Sequence, residues 1–90
     1  MNNVLPINLG RQRIRKVVFA ALVDVLALDE ATLEESLKVV EDLDADSMSI
    51  LALVIVIEDA LSIEIDPAEL HMSDATIGHV IDYISGQQEP

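Results

Sequence analysis

The stretch Asp46-Ser47-Met48-Ser49-Ile50-Leu51-Ala52-Leu53-Val54-Ile55-Val56-Ile57-Glu58-Asp59-Ala60-Leu61 decides how this chain folds. Its uninterrupted apolar run, Ile50 to Ile57, is rich in Val and Ile and would suit a buried strand as well as a helix. Length favours a helix over Ser47 to Leu61, and Asp46 stands where an N-cap belongs. The same run falls far short of the ~20 residues that span a bilayer. Wound as a helix, the segment places Ile50, Leu53, Val54, Ile57 and Leu61 on an inner face. Its outer face carries Met48, Leu51, Ala52 and Ile55. A helix that is apolar all round is normally buried all round. Either neighbouring segments cover the outer face here, or it is a bare patch that a partner covers.

Three further helices follow from the flanking sequence. From Arg11 to Leu26, Ile14, Val17, Val18, Ala21, Leu22, Val25 and Leu26 recur at helical spacing, with Gly10 as an acceptable N-cap. Asp66-Pro67-Ala68-Glu69 offers a cap, a proline at the first helical position and an acid in the first turn, which predicts a short helix. Ser73 is the expected cap of a last helix, Asp74 to Ser85, with Ile77, Val80, Ile81 and Ile84 inward and Gly86 as its stop. Asp29 to Asp46 reads as a long acidic loop anchored by Leu33, Leu37, Val39, Val40 and Leu43, with capping-box spacing at Thr32 and Glu35. A long loop without helix or strand in a compact domain is often functional. The expected fold is all-α, a four-helix bundle with three longer helices, a short third one and a long loop between the first two. Residues 11–86 form the domain, flanked by a flexible segment 1–10 and a tail 87–90.

Composition narrows the function. With 90 residues the chain has room for one domain, and Phe19 and Tyr83 are its only aromatics, so the core must be aliphatic. The net charge of −12 repels nucleic-acid backbones and anionic membrane surfaces alike. Without cysteine there is no disulfide framework and no thiolate of the chain's own, which fits a cytoplasmic protein. The N-terminus lacks the basic-then-apolar layout of a signal peptide, and the 90-residue length with Met1 at its head fits a free-standing protein, expected to be a monomer. Charge is unevenly placed: Arg11, Arg13, Arg15 and Lys16 cluster together, and nine acids lie between Asp24 and Asp46. The basic cluster is either a solvated first turn or a contact for acids.

The chemistry converges on Ser47. Asp42, Asp44 and Asp46 spell the opening of a calcium loop, but Ser47 stands where that loop needs glycine and Leu53 where it needs glutamate. A high-affinity calcium site is excluded, and non-specific divalent-ion association with so acidic a loop remains as a stabilising possibility. His71 and His79 have no partner pattern for catalysis or metal binding, and Ser36, Ser49, Ser62, Ser73 and Ser85 read as ordinary serines.

The run Val40-Glu41-Asp42-Leu43-Asp44-Ala45-Asp46-Ser47-Met48 resembles the acyl carrier protein family, whose signature is Asp-Ser-Leu at the start of the second helix. The resemblance continues through Glu58-Asp59-Ala60-Leu61, Glu64-Ile65 and Ile81-Asp82-Tyr83-Ile84, and covers residues 11 to 86. It implies that Ser47 receives a 4′-phosphopantetheine arm from a phosphopantetheinyl transferase. The protein itself would not be an enzyme. It would present acyl thioesters to acyl-transferring or condensing enzymes of fatty-acid, polyketide or related lipid biosynthesis. The reactive sulfur then belongs to the cofactor, which explains a thiol-transfer protein without cysteine. The resemblance also implies a partner surface on the second helix, with acids Asp44, Asp46, Glu58 and Asp59 at its ends. The middle departs from the family, placing Met48, Leu51 and Ile55 where relatives commonly carry an acid and mixed residues. An aminoacyl carrier is the near alternative, since Asp-Ser-Met also occurs in the D-alanyl branch. The absence of glycine between Gly10 and Gly78 argues against a peptidyl carrier. From another class, an unmodified acidic interaction module or weak divalent-ion binder is the remaining alternative.

Overall fold

A computed structural model describes residues 9–88. They form α1 (Leu9–Leu26), a 3-10 turn (Glu30–Thr32), α2 (Ser47–Leu61), α3 (Ala68–His71) and α4 (Ile77–Gln88), with no strand among the described residues. The four-helix, all-α expectation holds. The Val- and Ile-rich run is helical because Asp46 caps it: the Asp46 carboxylate accepts the Ser49 N–H at 2.8 Å. That bond satisfies one of the orphan amides of the first turn.

α1 packs against both α2 and α4, and the short α3 bridges α2 and α4. Ile50, Leu53, Val54, Ile57 and Leu61 of α2 are buried, as their spacing predicts, and so are Ile77, Val80, Ile81 and Ile84 of α4. From α1 the core takes Ile14, Val18, Phe19, Ala21 and Leu22, while Val17, Val25 and Leu26 pack only partly against it. Removing this aliphatic surface from water is the main force that holds the helices together.

Several boundaries differ from expectation. Gly10 is not a cap but lies within α1, which begins at Leu9. The last helix starts at Ile77 rather than Asp74, because Thr76 Oγ1, not Ser73, accepts the His79 N–H at 3.0 Å. Gly86 does not stop it, since α4 continues to Gln88. The expected terminal segments 1–10 and 87–90 lie largely outside the described residues, and Leu9, Gly10, Gln87 and Gln88 are helical. Thr32 and Glu35 form no capping box. The Asp29 carboxylate accepts from the Ala31 N–H at 3.0 Å, and Glu35 is used elsewhere.

The loop between α1 and α2 is tied down along its middle. Val39 N–H donates to Ala75 O at 3.0 Å, Ile77 N–H to Leu37 O at 2.9 Å, and Gly78 N–H to Glu35 O at 2.9 Å. Residues 35–39 thus form a strap that caps the first turn of α4, with Val39 and, further on, Ala45 buried beneath it. Leu33 is buried too, while Leu37 and Leu43 pack partly against the core.

Candidate functional site

Ser47 is the first residue of α2 and is exposed. The turn that delivers it is sharp. Asp44 adopts a left-handed backbone with φ of 64°, a conformation open to Asp and easier still for glycine. Ala45 is buried and anchors the turn, donating its N–H to Val39 O at 3.2 Å. Asp46 then caps the helix. The Ser49 backbone N–H bonded to its carboxylate holds that group below the ordinary carboxylate value, so the cap stays ionised at neutral pH.

This geometry suits an anionic group on the serine. Amides in the first turn of a helix lack intrahelical acceptors, and the helix dipole adds positive character there. The Asp46 carboxylate accepts the Ser49 N–H and also draws on the Met48 N–H, so the amides of the first turn gather at the mouth of the helix. Phosphate on the Ser47 oxygen would meet both the dipole and these donors. The carboxylates of Asp44 and Asp46 oppose a further negative charge, but both are exposed, and water and salt screen them. The residues present fit a serine-linked phosphodiester, and the exposed position gives an attached arm room to swing.

Below the serine the outer face of α2 is bare. Met48 is 80% exposed, Leu51 53% and Ile55 65%. Neither α3 nor the loop covers this face, so the covered alternative is set aside. Asp59 is exposed at the far end of α2. Glu58 is also half engaged within the chain, where one carboxylate oxygen accepts the Ile65 N–H at 2.8 Å. That bond fixes the chain after Ser62, whose backbone is left-handed with φ of 57°. Behind α2, Val18, Leu22, Val39, Leu53, Leu70 and Ile77 surround a small apolar gap with room for about one water molecule.

Among the described residues no group of three His, Asp or Glu side chains is arranged to hold a metal ion. His71 and His79 are exposed; His79 Nε2 lies 3.4 Å from a Glu69 carboxylate oxygen, a surface contact between α4 and α3.

Sequence reasoning left one cluster open. Arg11 forks onto Glu35, with Nη2 to Oε1 at 2.7 Å and Nη1 to Oε2 at 3.1 Å, and its Nε donates to Asp82 Oδ1 at 2.8 Å. Arg15 Nε donates to Glu35 Oε2 at 2.9 Å, and its guanidinium lies 4.2 Å from the centre of the Phe19 ring. Of the two readings of the basic cluster, the acid contact holds for Arg11 and Arg15, while Arg13 and Lys16 are exposed. Arg11 and its hydrogen bonds hold the Glu35 carboxyl below its ordinary value, against a smaller opposing effect of burial. The signal in the sequence was the i, i+4 pair Arg11/Arg15, but nothing local named Glu35 or Asp82 as its acceptors.

Comparison with known proteins agrees with the geometry. The family described as the phosphopantetheine attachment site matches residues 16–84. An acyl carrier protein of Thermotoga maritima is 31% identical over 75 residues, covering 83% of this chain and 91% of its own. One from Wolinella succinogenes is 40% identical over 63 residues, covering 70% and 82%, and one from Chlamydia muridarum is 34% identical over 71, covering 79% and 91%. With this coverage and the helical bundle already in place, the chain belongs to the acyl carrier proteins, the non-enzymatic carriers built around phosphopantetheine.

Proposed function

We propose that Ser47 is the attachment point of the 4′-phosphopantetheine arm and that the outer face of α2 is the surface partner enzymes read. The observation that carries the first part is the exposed serine at the first position of a capped fifteen-residue helix. When bound, the arm supplies a terminal thiol that holds acyl groups as thioesters. The chain's own task is to fix the serine oxygen, stabilise the phosphodiester charge with the helix start, and present the loaded arm. Intact-mass measurement after co-expression with a phosphopantetheinyl transferase tests this. Wild type gains the mass of one arm and Ser47→Ala gains nothing. An addition that persists in Ser47→Ala would move the site elsewhere.

The partner surface is the stripe Met48, Leu51 and Ile55, with Asp44, Asp46, Asp59 and the outer oxygen of Glu58 at its rim. Its bare apolar area supports a contact face. The acidic rim favours a partner whose apolar cleft is bordered by basic side chains, since such complementarity speeds encounter. The same charge of −12 on every copy opposes self-pairing through this face and supports a monomer. The partners in this reading are the transferase and the acyl-transferring or condensing enzymes of a lipid, fatty-acid or polyketide pathway, with no nucleic-acid or membrane partner. A cytoplasmic location is part of the proposal; no helix among the described residues is long and apolar enough to cross a membrane. Leu51→Glu separates contact from covering: slowed partner turnover with unchanged thermal stability supports docking. Unchanged turnover with lost stability would overturn it.

A further inference from the structure

The gap behind α2 has room for no more than about one water molecule, so any sizeable guest in the interior requires a wall to move. Its walls are not equally firm. α1, α2 and α4 are held by their own helical ladders and by mutual packing. Two walls are not long helices: the single turn α3, through Leu70, and the strap 35–39, through Val39. α3 joins the rest through the burial of Leu70 and exposed polar contacts such as His79 to Glu69. The strap has three backbone bonds, one to Ala75 and two to the first residues of α4, and above them the Glu35 side chain is bonded by two arginines of α1. Gly78 lets the two approach closely, since a Cβ there would lie 3.3 Å from the Glu35 backbone oxygen and 3.2 Å from its Oε1.

We propose that Glu35 is a positioning residue whose clasp on Arg11 and Arg15 locks the strap 35–39 as a fixed wall of the interior. The clasp joins three elements that are distant in sequence: α1 through its arginines, the loop through Glu35, and α4 through Asp82 and Gly78. Breaking it frees Val39 without touching any core side chain. The inference rests on the carrier reading only in taking an acyl chain as the guest; the locking of the strap is independent of it.

Hydrogen exchange on the full chain tests the lock amide by amide. Val39, Ala45, Ile77 and Gly78 N–H groups report the strap; Leu70 and His71 report α3; Leu53 and Ile57 report the core of α2. In wild type the strap amides are expected to be better protected than those of α3. In Glu35→Gln the strap amides exchange about tenfold faster relative to α2, a typical loss for charge-assisted bonds at a half-exposed site, while α3 is unchanged. Arg11→Met does the same and Arg11→Lys, which keeps the charge but loses the fork, lies between. Strap amides that keep pace with α2 in these variants overturn the proposal, as does a uniform loss of protection across the chain. Should Glu35→Gln fail to fold, Arg15→Met removes one bond and carries the same comparison at smaller amplitude. The carrier reading fails separately, in the mass of Ser47→Ala.

Discussion

The clasp on α1 and the outer face of α2 use charge in opposite ways. At the clasp, Arg11 and Arg15 meet Glu35 and Asp82 at 2.7 to 3.1 Å, so acids and bases neutralise one another and fix the chain. Along α2, the carboxylates of Asp44 and Asp59 face water beside bare methionine, leucine and isoleucine side chains. Paired charge holds the fold; unpaired charge next to exposed apolar surface is left for a partner. In a chain with 17 acids and 5 Lys or Arg, pairing is scarce, and two of the bases are spent where the long loop must be held.

The largest effects should sharpen the contrast within α2 itself. Ile57 is 1% exposed and Ile55 65%, two residues apart on one helix. Ile57→Ala is expected to cost ~2–5 kcal/mol in urea unfolding, the range for emptying a packed core site. Ile55→Ala should stay within ~0.5 kcal/mol, as surface changes do, and should instead slow partner turnover. Equal losses at the two sites would erase the distinction between the faces.

At the clasp, Gly78→Ala is expected to destabilise by ~1 kcal/mol although alanine is the better helix former. The added methyl meets the strap backbone, which the arginines hold in place. A gain in stability would show that the strap gives way easily.

The pH dependence breaks the comparison in another direction. Glu35 has a lowered folded value, so its contribution is present above the ordinary glutamate value of 4.5 and is lost as pH falls through the folded value. The stability gap between wild type and Glu35→Gln should therefore be flat at neutral pH and close at acid pH. Acid meanwhile relieves the repulsion among unpaired carboxylates elsewhere. A gap that widens on acidification would mean the clasp is held by something other than the ionised carboxylate.

The smallest effect belongs to the left-handed turns. Ser62→Gly at the end of α2 should add ~0.5–1 kcal/mol, since glycine takes φ of 57° without strain. Its exposed position leaves the docking face untouched, so partner turnover should not change.

Much of this molecule was legible in advance. The inner face of α2 was read residue for residue from helical spacing, and the Asp46-Ser47 junction from its capping chemistry, because both depend on neighbours within a turn. Helix ends were less legible. Thr76 and Ser73 are chemically equal caps, and the choice between them depends on the strap carbonyls of Leu37 and Glu35, which arrive from forty residues away.

Sequence by itself therefore determined the number and order of the helices, the buried faces of α2 and α4, the serine at the head of α2 and the family. Periodicity, capping and motif are local properties. Only the tertiary structure decided that the outer face of α2 stays bare and that Glu35 serves as the anchor of the loop rather than a cap. Both depend on which distant segments lie alongside. The packing of α1 against α4 brings Arg11, Glu35 and Asp82 within reach of one another, and α3 is too short to reach across Leu51.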